Sequence, residues 1–65
     1  MIVLTRLSGK EFVLNADLIK TVEETPDTTI KLVNGEAMIV RERMAEVIDA
    51  AIDYQRRLRT LLAPS

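Results

Sequence analysis

The dipeptide Asn34-Gly35 restricts what this chain can fold into more than any other feature. Asn and Gly most readily supply the two positive φ angles of a type I′ turn. Apolar and β-branched residues flank the pair, from Thr28 to Val33 and from Glu36 to Val40. That combination predicts a β-hairpin with a two-residue turn. From Arg43 the apolar period lengthens. Met44, Val47, Ile48, Ala51, Ile52, Leu58, Leu61 and Leu62 recur at helical spacing, while Glu46, Asp49, Asp53, Arg56, Arg57 and Arg59 occupy most of the other face. The hairpin thus runs into a helix over about residues 43–62. Arg41-Glu42-Arg43 stands at the joint, either as a recognition rim or as the solvated start of the helix.

Upstream, Met1 to Thr5 and Glu11 to Leu14 read as strands separated by a turn at Ser8-Gly9. Asn15 caps one helical turn reaching Leu18, and Ile19 to Thr25 forms a further strand closed by Pro26-Asp27. Five short strands within residues 1–40, joined by short connections and followed by one helix, define an α+β fold. The expected architecture is a small five-stranded antiparallel sheet or open barrel with one long C-terminal helix, in a single domain over residues 1–65. A 20-residue helix spans ~30 Å and a six-residue strand only ~20 Å, so the sheet cannot cover the whole helix. Leu58, Leu61 and Leu62 are expected to overhang, as a contact for another chain or as a frayed end. Asp53 is placed to pair with Arg57 one turn later.

The chain has 65 residues, and its lack of Cys and His removes disulfides and most structural metal sites as aids to a small core. Association into a homo-oligomer is the aid that remains. Without His or Cys the usual nucleophile–base pairs cannot be assembled, so no catalytic residue is expected. Glu23, Glu24 and Asp27 lack the ligand spacing of a calcium loop and read as a solvated turn. Gly9 and Gly35 serve separate turns and leave no phosphate-cradling loop. No metal, cofactor or small-molecule substrate is therefore expected. Met1 to Thr5 is too short for a signal-peptide apolar region, and no apolar run approaches the ~18 residues of a membrane span. The expected setting is the cytoplasm, without direct membrane insertion. Arg6, Arg41 and Arg43 would share one edge if the first and last strands were neighbours, which makes them candidate partner-binding residues. A formal charge of −1 and only Phe12 and Tyr54 for base stacking argue against nucleic acid as the main partner.

The series Ile2-Val3-Leu4-Thr5-Arg6-Leu7-Ser8-Gly9-Lys10-Glu11-Phe12-Val13-Leu14-Asn15, the run from Ile19 to Thr28, Leu32-Val33-Asn34-Gly35 and Val40-Arg41-Glu42 together resemble the FlbD family of small bacterial flagellar proteins, which includes the swarming motility protein SwrD. The likeness runs from Met1 to about Tyr54. It implies a cytoplasmic, non-enzymatic motility factor, at the cytoplasmic face of the flagellar motor and supporting motor power through flagellar motor or stator proteins. Leu4-Thr5-Arg6 and Val40-Arg41-Glu42 are also similar to the carbon storage regulator CsrA. That second likeness implies RNA contacts at Arg6 and Arg41, although the turns at Pro26-Asp27 and Asn34-Gly35 depart from the CsrA pattern.

Overall fold

Alternation of apolar and polar residues places the core before any tertiary contact is considered, because successive side chains of a strand point to opposite faces. The computed structural model describes residues 1–62. Its strands are β1 (Ile2–Thr5), β2 (Glu11–Leu14), β3 (Ile19–Glu24), β4 (Thr28–Leu32) and β5 (Ala37–Val40), followed by the helix α1 (Met44–Leu62). Ile2 and Leu4, Leu14, Ile30 and Leu32, and Val40 are buried with Val47 of α1. Phe12, Ile19, Val22, Met38, Ala50 and Tyr54 pack around them. In β3 the two core residues, Ile19 and Val22, are three apart, which an unbroken strand would send to opposite faces. A register shift between Ile19 and Thr21 restores the parity and turns both toward the core.

Two antiparallel sheets replace the single five-stranded sheet or barrel expected from the sequence, one of order β1-β2 and one of order β3-β4-β5. They meet where Arg6 and Val40 form an isolated antiparallel bridge and the Arg41 N–H donates to Thr5 O at 2.8 Å. The ladder cannot extend further at this end. Beyond Arg6 the chain turns back toward β2, and beyond Val40 it turns into α1.

The hairpin at Asn34-Gly35 forms, but with a three-residue loop rather than a type I′ turn. Gly35 N–H donates to Leu32 O at 3.0 Å, Leu32 N–H donates to Glu36 O at 2.8 Å, and only Gly35 takes a positive φ, 93°. This is the geometry in which a type I turn is followed by a left-handed glycine. Two competing hydrogen bonds explain the choice: Asn34 Oδ1 accepts the Glu36 N–H at 3.0 Å, and the Val33 N–H reaches Leu18 O at 2.8 Å. The β1-β2 turn repeats the design. Gly9 N–H donates to Arg6 O at 2.8 Å, Arg6 N–H to Lys10 O at 2.9 Å, and Gly9 has φ 95°. Between β2 and β3, Asn15 Oδ1 accepts the Asp17 N–H at 3.1 Å and caps a single 3₁₀ turn over Ala16–Leu18.

Helix α1 packs on β1 and β3 with its first turns, through Val47, Ala50 and Tyr54. Its far end projects beyond the sheets. Leu61 and Leu62 are 79% and 71% exposed, whereas Leu58 is half-buried.

Candidate functional site

The joint between β5 and α1 has no Ser, Thr, Asp or Asn with which to cap the helix. Arg43 O accepts the first helical bond, from Val47 N–H at 3.1 Å, so Arg43 occupies the cap position without a side chain able to serve it. The missing acceptor comes from β3. Glu24 Oε1 takes the Met44 N–H at 2.7 Å, and Glu24 Oε2 meets Arg43 Nε at 3.0 Å. The Met44 N–H, with the Arg43 guanidinium beside it, holds the Glu24 carboxyl below its usual range. Glu24 is therefore a helix cap delivered from another strand, and the reading of Glu23, Glu24 and Asp27 as a merely solvated turn fails at Glu24.

Of the two readings of Arg41-Glu42-Arg43, the solvated start of the helix does not hold for Glu42. It lies before α1 instead and joins the two sheets, its Oε1 accepting the Thr5 N–H and its Oε2 the Thr5 Oγ1–H, both at 2.8 Å. Burial works against the Glu42 charge. The two bonds from Thr5 outweigh it and leave this carboxyl, too, below its usual range.

Arg41 points the other way along the rim. Its Nε and Nη2 donate to Leu7 O at 3.0 and 2.7 Å, pinning the tip of the β1-β2 turn. Together with Leu7, Glu24, Pro26 and Asp27, Arg41 and Arg43 line an open groove of about 490 Å³. Arg6 is separate from this lining. Although the Arg6–Val40 bridge brings its backbone beside Arg41, its guanidinium lies 4.3 Å from the centre of the Phe12 ring. Leu58, Leu61 and Leu62 belong to the opposite end of α1, more than a dozen residues from Arg43, so the candidate residues fall into two groups.

Chemically, the groove presents an exposed guanidinium beside two carboxylates and an apolar patch from Leu7 and Pro26, a surface suited to another polypeptide of mixed charge. Among the described residues no three acidic groups gather closely enough to hold a metal ion, and no helix is long and apolar enough to cross a membrane. Sequence reasoning missed the contribution of Leu7, Glu24 and Pro26, whose closeness to Arg41 and Arg43 arises only when the two sheets meet.

The family model for FlbD, flagellar and swarming motility proteins, matches residues 1–59. The chain belongs to the FlbD family. The match includes both glycine turns, the rim groove and α1 as far as Arg59, which is five residues beyond the likeness read from the sequence. No curated protein and no solved structure matches the chain. Membership associates this FlbD-family chain with flagellar and swarming motility.

Proposed function

We propose that this FlbD-family chain is a non-enzymatic cytoplasmic factor that supports flagellar motor power through protein–protein contacts. The observation that carries this reading is the family match over residues 1–59. The rim groove supports it physically. Arg41 and Glu42 are anchored by Leu7 and Thr5, and Arg43, held at its Nε by Glu24 with its side chain still 75% exposed, is the guanidinium offered to a partner. Rigid supports around one exposed Arg reduce the side-chain ordering that docking requires. Stator or other motor proteins are the partners in this reading, and no substrate is turned over.

Arg43→Glu tests the proposal in a flagellated host. The expected phenotype is reduced torque in tethered cells with an unchanged number of flagella. Unchanged torque would remove the rim from the mechanism, and loss of flagella would move the role from motor power to assembly.

A further inference from the structure

Beyond its core-facing side, α1 carries a second apolar stripe that no other element covers among the described residues. Met44, Ile48, Ile52 and Leu62 are 36%, 43%, 41% and 71% exposed. With Gln55 they recur at steps of three, four or seven residues, on one side of the helix. Ile48 and Ile52 also form one wall of an apolar groove of about 230 Å³ whose opposite wall is Ile19 and Val22 of β3. Apolar side chains on both walls leave a surface on which the ridge of another helix can pack.

The charges of α1 indicate which helix. Glu46, Asp49 and Asp53 precede Tyr54, while Arg56, Arg57 and Arg59 follow it, so the two halves of the helix are of opposite sign. Placed antiparallel, two such helices set acid against base at both ends. Asp53 and Arg57 already pair within the chain at 3.1 Å, whereas Asp49 and Arg56 are exposed and form no ion pair among the described residues. Asp49 stands three residues before Ile52 and Arg56 four after it, both on the same flank of the stripe. A two-fold axis near Ile52 would therefore bring Asp49 of each copy opposite Arg56 of the other.

We infer that a second copy of this chain occupies the groove, giving a two-fold dimer built on antiparallel α1 helices. Such an interface is self-complementary, as a symmetric pair requires. It covers the stripe on both copies and adds apolar burial to a core that, among the described residues, has seven buried apolar side chains. The dimer does not depend on the motor reading, because the rim groove lies at the joint before α1, away from Ile52 and Arg56.

Charge reversal tests it with the full chain in solution, by measuring mass on dilution in a sedimentation experiment. The wild type is expected at twice the monomer mass. Asp49→Arg alone and Arg56→Asp alone each place like charges across the axis twice and are expected to dissociate at least roughly tenfold more readily. Mixed in equal amounts, the two variants form complementary pairs at both sites, and the dimer is expected to return. Circular dichroism of each single variant shows whether these exposed positions leave the fold intact. A monomeric wild type would overturn the inference. So would single variants that dimerise like the wild type, or folded single variants whose mixture stays monomeric.

Discussion

Glu24 and Glu42 stabilise the fold as carboxylates, and that makes the joint between sheet and helix sensitive to acid. Both carboxyls lie below their usual range in the folded chain. The unfolded chain therefore takes up protons more readily as pH falls, so the stabilisation is fully present above an ordinary carboxylate value of 4.5 and is lost progressively below it. Urea midpoints measured at neutral pH and at progressively lower pH are expected to fall through this window. In Glu24→Gln the fall is expected to be shallower and the neutral-pH midpoint already lower, and a variant titrating identically to wild type would contradict the capping role. These roles differ in how visible they are in the sequence. Asn15 announces itself as a cap because it bonds Asp17, two residues away. Glu24 bonds Met44, 20 residues on, and Glu42 bonds Thr5 across 37 residues, separations that no local pattern encodes.

The hairpins, taken as elements, depend on single glycines. Among the described residues a Cβ at Gly35 meets nothing within 4 Å, and the atoms nearest one at Gly9 belong to the flexible Arg41 side chain, from 3.6 Å, so the obstacle to substitution is the positive φ itself. Gly9→Ala and Gly35→Ala are each expected to destabilise by about 1–2 kcal/mol, the strain of the left-handed region for a residue with a Cβ. Equal effects in chemical denaturation would confirm that the two turns share one geometry, and a negligible effect at either would contradict the positive φ there. The turn's position was legible from Asn34-Gly35, but its loop length was not, and the difference of one residue decides which side chains are buried. The observed pairing sets Thr28 opposite Val40 and Ile30 opposite Met38, leaving Val40 2% exposed and Ile39 43% exposed. A two-residue loop would exchange them. The end of α1 was readable from length alone, since a helix longer than the strands must project, and the Asp53–Arg57 pair was readable from its spacing.

For the whole molecule, smallness governs. A domain of this size draws roughly 3–5 kcal/mol from its core, and truncating a large buried aliphatic residue removes about 2–5 kcal/mol. Ile30 is fully buried at the centre of the core. Ile30→Ala is therefore expected to populate the unfolded state in native buffer, visible as lost dispersion in an amide NMR spectrum, and a fully folded variant would show that other contacts dominate. The nearness of the first and last strands was weighed from the sequence, but the division into two sheets was not legible, because alternation specifies which face of a strand is buried and not which strands pair. The rim groove inherits that limit: Arg41 and Arg43 stood out as a charge run, whereas Leu7 and Pro26 joined them only through the meeting of the sheets. In the proposed function this rim contacts a motor protein. The most direct test of that contact replaces Arg43 with a photo-crosslinking residue in flagellated cells, followed by irradiation, nuclease treatment and identification of the adduct. A nuclease-resistant adduct containing a stator or other motor protein is expected. An adduct destroyed by nuclease would contradict the proposed contact and make the same rim an RNA-reading edge.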